Sequence, residues 1–204
     1  MAFYTDNFTR ANSSSLGANW TEGQGPATTA TDFSISNNQL LLGSGTQASA
    51  RWNTALDGDD HYCQISCSNL FANATVILSV RGSATGLPLV SAYFQSAQWN
   101  IYQVGSVSSN YVLQASGSWS RPSSGAYRLG VVGNVYTMTC NGNAVGSWTD
   151  TGNAHAAGPA RRWTAVSAFK PSGSGNLMLD NWETGDFATP EPPPTNTTDF
   201  FKFF

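Results

Sequence analysis

Apolar and polar residues alternate with a period of two along most of this chain. Val76, Leu78 and Val80 fall on one side of such a run, and Thr75, Ile77 and Ser79 on the other. Tyr127, Leu129 and Val131 alternate in the same way with Arg128, Gly130 and Val132. Successive side chains of a strand point to opposite faces, so the pattern predicts strands rather than helices. Further strands are predicted at 50–53, 61–67, 89–95, 98–104, 110–115, 162–169 and 177–183. Two hairpins are marked. Asn141-Gly142-Asn143 separates 135–140 from 144–148, and Ser36-Asn37-Asn38 separates 33–35 from 39–42. Asn-Gly supplies the positive φ angles that a type I′ turn requires. One short helix is expected over 153–160, with Asn153 as its cap and Gly158-Pro159 as its stop. The strand spacing predicts an all-β sandwich of two antiparallel sheets.

The pattern breaks near residue 188. Residues 1–187 read as one β-sandwich domain. Residues 188–204 read as an extended tail, a Pro-rich linker followed by Phe200-Phe201-Lys202-Phe203-Phe204. Full burial of a phenylalanine is worth about 1.5–3 kcal/mol, so these rings call for a cover. The expectation is an anchor peptide: Pro192, Pro193 and Pro194 form a stiff tether, and Phe200, Phe201, Phe203 and Phe204 dock into another subunit or protein. Folding back onto their own sandwich is the alternative.

Composition narrows the function. Only 10% of residues are charged, against about 25% in an average domain. Nine Lys and Arg and a net charge of −3 exclude the basic patch of a nucleic-acid binder. With 40% hydrophobic residues, many of them aromatic, most of the chain can bury enough surface to fold. No apolar run is long enough to cross a bilayer as a helix. The first residues lack a basic segment followed by an apolar one, so no secretory leader is expected. Cys63 and Cys67, four apart in one strand, would sit ~13 Å apart, too far for a disulfide. Reduced, buried thiols are expected for them and for Cys140.

Several short segments carry a family resemblance. Asp6-Asn7-Phe8-Thr9-Arg10, Leu16-Gly17-Ala18-Asn19-Trp20, the early hairpin around Asn37-Asn38, Trp99-Asn100-Ile101-Tyr102 and the closing Leu179-Asp180-Asn181-Trp182-Glu183 resemble concanavalin A-like (laminin-G-like) jelly-roll domains over about residues 6–187. That resemblance implies a jelly roll whose first and last strands pair. In its Ser/Thr/Asn/Gly-rich style, roughly 40% of the chain against much less in ordinary usage, it also resembles minor tail and related virion proteins of bacteriophages infecting actinobacteria. This implies a multi-copy virion component made in the bacterial cytoplasm.

Candidate chemistry is sparse. Retaining glycanases need two carboxylates about 5 Å apart, and those of this jelly-roll family are expected to carry them as Glu-x-Asp-x-x-Glu or Glu-x-Asp-x-Glu. Glu22, Glu183 and Glu191 do not begin that motif, and Glu183 with Asp186 has the wrong spacing. His61 and His155, the two histidines, accompany no Gly-x-Ser-x-Gly elbow. Asp57-Gly58-Asp59-Asp60 is a turn signal, with a calcium ion on Asp57, Asp59 and Asp60 as the alternative. Aromatic rings stacking on sugars, with Arg or Asn bonding the hydroxyls, are the remaining option. The candidates are Trp52, Arg81, Tyr93, Trp99, Tyr102 and Trp119, each weighed against ordinary core packing. The expectation is a non-enzymatic bacteriophage minor tail or decoration protein, held by its tail and displaying a lectin-like jelly roll to host-surface glycans. A structural protein without ligand is the alternative, and a cell-wall glycan hydrolase the least favoured.

Overall fold

The computed structural model describes residues 1–26, 32–43, 45–107, 110–172 and 174–187. Residues 188–204, the expected linker and anchor peptide with Pro192–Pro194 and the four phenylalanines, lie outside the described residues.

The described strands are β1 (Phe3–Asp6), β2 (Trp20–Glu22), β3 (Ser34–Ser36), β4 (Gln39–Leu42), β5 (Gln47–Trp52), β6 (His61–Cys67), β7 (Thr75–Gly82), β8 (Leu89–Phe94), β9 (Gln98–Val104), β10 (Tyr111–Ser118), β11 (Gly125–Val132), β12 (Val135–Cys140), β13 (Asn143–Thr149), β14 (Trp163–Phe169) and β15 (Leu177–Asp186). They form two antiparallel sheets. One runs β13-β12-β11-β6-β15-β4-β3, with β1 added beside β15. The other runs β10-β9-β8-β7-β14-β5-β2. First and last strands pair as expected, with Phe3 opposite Gly185 and Asp6 opposite Trp182. β15 pairs with β4 through its first three residues and with β6 from Asp180 onward, with a bulge between Asp180 and Glu183.

The turn chemistry follows the sequence. Asn37 and Asn38 both have positive φ, as do Asn141 and Gly142. Each pair is the whole loop, because Ser36 faces Gln39 and Cys140 faces Asn143. The helix expected over 153–160 is absent. Asn153 has a φ of 50°, which is no N-cap conformation, and Asp150 takes up the backbone N–H of His155 at 2.9 Å. A 3-10 turn instead begins at Pro159, since proline pre-sets the first helical φ and so starts a turn here rather than stopping one.

The core fills the space between the sheets. Trp20, Trp52 and Trp182 meet within 4.7–5.2 Å, and Phe94 packs on Tyr127 at 5.2 Å. All three cysteines are free thiols within this layer. Cys63 donates to the Ala165 carbonyl at 3.6 Å and accepts from Trp182 Nε1 at 3.3 Å. Burial pushes its thiol up to about 12.

Candidate glycan-binding face

Strands of the seven-stranded sheet turn Val76, Leu78, Val80, Val90, Ala92 and Phe94 into the core. The alternate residues therefore line its outward face. Across that face one register row runs Tyr102, Ser91, Ser79, Ala165, Arg51. Four strand steps of ~4.8 Å separate its ends by about 19 Å. The middle of the row is small and self-satisfied, with Ser79 and Ser91 hydroxyls 2.8 Å apart.

One end is aromatic. Tyr93 on β8, Tyr102 on β9 and Tyr111 on β10 form a half-buried triad. Ring centroids lie 4.9 Å apart for Tyr93 and Tyr102, 6.4 Å for Tyr93 and Tyr111, and 6.0 Å for Tyr102 and Tyr111. All three contacts are edge-on, so faces as well as edges are presented. Leu113, half exposed, sits opposite Tyr102 and widens the platform. Asn100 lies beside Tyr93 and donates to Gln95 Oε1 at 2.7 Å. Burial raises the Tyr93 hydroxyl far above the usual phenol range, and the neighbouring tyrosines add to this. Burial raises Tyr111 as well. Tyr93 and Tyr111 therefore stay uncharged at physiological pH.

The other end is cationic. Arg51 is nearly buried and donates to Gln24 Oε1 at 2.9 Å and to the Trp52 carbonyl at 2.9 Å. The loop after β2 crosses the face here. Gly25 lies so close over Ser49 and Ser167 that a Cβ on it would stand 2.1 Å from the Ser49 hydroxyl. Its φ of 151° adds a second reason for glycine.

Of the six residues selected from sequence, the structure brings together Tyr93 and Tyr102 alone. Trp52 is buried and packs among Tyr4, Trp20 and Trp182. Trp99 is wedged between the two sheets, where only glycine fits: a Cβ at Gly117 or Gly146 would come within 2.6 or 2.4 Å of its ring. Trp119 closes one end of the sandwich, donating Nε1 to the Gln95 and Gln98 carbonyls at 2.9 and 3.1 Å. Arg81 is 1% exposed. A φ of 55° turns it out of the strand pattern, and its Nη2 donates to the Gly133 carbonyl at 2.7 Å. Its backbone N–H meets Nε2 of the buried His61 at 3.2 Å. Burial first, and the Arg81 charge second, push His61 down to about 4. Tyr111 was not among the selected residues. Its signal was its place at the head of β10, where it pairs with Val104, two residues along β9 from Tyr102.

Asp57 pairs with the N-terminal amine at 3.3 Å, Asp59 with Arg162 at 2.8 Å, and Asp60 accepts the Gly133 N–H at 2.7 Å. The three carboxylates thus serve different partners, and no cluster of three potential metal ligands occurs among the described residues. The carboxylates Glu183 and Asp186 lie on the other sheet, where Glu183 pairs with Arg128 at 3.0 Å and Asp186 accepts the Gly58 N–H at 2.8 Å.

Neither a family model nor a curated protein sequence matches the chain. Solved structures do. A prokaryotic β-1,3-1,4-glucanase (lichenase) from a mouse hindgut metagenome matches with a TM-score of 0.60 at 10% identity, over 91% of this chain and 99% of that one. The carbohydrate-binding module CBM66 of Bacillus subtilis matches with a TM-score of 0.53 at 8% identity, over 82% and 92%. The CBM2 module of the evolved Dit of Lactobacillus casei BL23 phage J-1 matches with a TM-score of 0.55 at 12% identity, over 89% and 94%. The fold is a concanavalin A-like jelly roll.

These likenesses correct the expectation of a non-enzymatic bacteriophage virion protein. Besides the lichenase, the similar structures include further β-glucanases and the Crh5 transglycosylase, whereas the phage protein named above matches through a carbohydrate-binding module. The exclusion of catalysis rested on one carboxylate motif and on scarcity of Glu and His. That count tests one arrangement of acids only, and the fold found is one that glucanases use. At these identities the likeness itself shows the fold.

Proposed function

We propose that this chain binds a polysaccharide on the outward face of its seven-stranded sheet, at the tyrosine platform. The observation that carries this reading is the edge-on triad of Tyr93, Tyr102 and Tyr111, flanked by Leu113 and Asn100. A sugar ring presents apolar C–H faces bordered by hydroxyls. Half-buried tyrosines match both features, because their rings offer apolar area and their hydroxyls bond at the rim. The carbohydrate-binding modules and glucanases of the same fold support the ligand class, and β-linked glucans are the first probes.

The test is affinity electrophoresis in gels containing β-1,3-1,4-glucan, β-1,3-glucan or cell-wall polysaccharide. Wild type is retarded by at least one. Loss of one stacking ring removes roughly 1.4 kcal/mol, about tenfold in affinity, so Tyr102→Ala weakens retardation to that extent with its thermal midpoint near wild type. Absence of retardation across the panel, or unchanged retardation in Tyr102→Ala, overturns the proposal.

A further inference from the structure

The opposite face of the sandwich carries a second concavity. On the outward side of the eight-stranded sheet, a recess of about 350 Å³ opens between Arg128, Val132, Val135, Thr137, Thr139 and Phe187. Its floor is Gly130, over which the Phe187 ring lies so closely that a Cβ would stand 2.8 Å from it. Phe187 also packs on Tyr62 at 5.3 Å. Tyr62 in turn receives the Arg128 guanidinium 4.1 Å above its ring. Arg128 is held by Gln64 at 2.8 Å and Glu183 at 3.0 Å, so the polar wall of the recess is already satisfied. The opposite wall is not: Val132 is 53% and Val135 40% exposed. These are apolar side chains on an outward sheet face, where strand patterning calls for polar ones.

Phe187 is both a wall of this recess and the last described residue before the tail. The described chain therefore leaves the domain at the rim of the apolar wall. Seventeen residues follow, ending in Phe200-Phe201-Lys202-Phe203-Phe204. Twelve residues, 188–199, separate Phe187 from the first of these rings. Extended, they reach about 40 Å, while the recess spans only the three strands β6, β11 and β12, about 10 Å. The tether is thus several times longer than the return needs. Its three consecutive prolines reduce the entropy lost when it is ordered. Attachment at the rim raises the local concentration of the rings to the millimolar range.

We infer that the aromatic segment Phe200–Phe204 folds back and docks in this recess, its rings covering Val132 and Val135. The docking is intramolecular. It uses the face remote from the tyrosine platform and is independent of what that platform binds.

Chymotrypsin cleavage within residues 200–204 of the full chain, followed by mass spectrometry, tests this. Cleavage tracks the undocked population when docking is fast. Wild type is cut at least tenfold more slowly than a synthetic peptide of residues 188–204. Val135→Glu, which puts a charge in the apolar wall, brings the rate to within twofold of the peptide. Thr137→Arg provides a second variant of the same recess, and circular dichroism confirms that each is folded. Equal cleavage of wild type and peptide, or protection unchanged in both variants, overturns the inference. Protection that disappears on dilution, together with dimers in sedimentation, also overturns it, because the segment would then dock on a second copy.

Discussion

His61 gives the domain a predictable weakness to mild acid. The ring is fully buried, accepts the Arg81 N–H through Nε2, and faces the Arg81 guanidinium, whose Nε and Nη1 have no hydrogen-bond partner. Protonation would cost that hydrogen bond and place a second cation beside the first. The folded value is about 4, against an ordinary 6.5. Between these limits the unfolded chain takes up a proton that the folded chain refuses, so stability is full above pH 6.5 and falls as the pH drops towards 4. Each tenfold difference in proton affinity is worth about 1.4 kcal/mol, so the whole interval amounts to roughly 3 kcal/mol. That is a large share of the 5–15 kcal/mol typical of a domain. Urea unfolding at pH 7.5, 6.5, 5.5 and 4.5 measures it. Wild type loses about 2.5 kcal/mol more over this range than His61→Gln, whose amide can still accept the Arg81 N–H. His155, also lowered by burial, adds loss of the same sign to both proteins, and the difference between them isolates His61. Asp59, held low by Arg162, contributes only below the ordinary carboxylate range. Equal slopes for wild type and variant would refute the reasoning.

Two other measurements probe the core. Burial raises all three thiols, so at pH 8 Cys63, Cys67 and Cys140 react with a thiol reagent only at the rate of unfolding; fast labelling of Cys63 in the native protein would contradict its placement. Arg121 donates to the backbone carbonyls of Phe71 at 2.8 Å, Phe94 at 3.0 Å and Ala74, and Arg121→Met strands all three, so a loss of roughly 3 kcal/mol in urea unfolding is expected and a loss below 1 kcal/mol would show the carbonyls to be otherwise satisfied.

Much of the fold was legible because its signals are local. Period-two alternation placed β6, β7, β11 and β12, and Asn37-Asn38 and Asn141-Gly142 placed the turns between β3 and β4 and between β12 and β13. The resemblance of the opening and closing segments to a jelly roll foreshadowed the pairing of β1 with β15. The site was legible only in part, and the reason is physical. Alternation says which residues share a face, but not which face meets the partner sheet. Trp52 and Tyr93 are both aromatic residues in strands. One faces inward into the tryptophan cluster and the other outward. In β7 even the outward residues Ile77 and Ser79 are buried, so burial does not tell the two sides apart. Arg81 escaped because a single left-handed residue carries its side chain away from the face the pattern assigns it.

The pairing of β1 with β15 also bears on how the domain comes into being. Phe3 and Gly185 are partners almost a full domain length apart in sequence, and β15 also bridges β6 to β4. Until that strand leaves the ribosome, β6, β4 and β1 each lack a neighbour, and the Trp20–Trp52–Trp182 cluster lacks its third ring. Contacts of such long sequence separation form slowly. Completion of the larger sheet therefore waits for β15: the strands made before it stand with open edges until its ten residues close them.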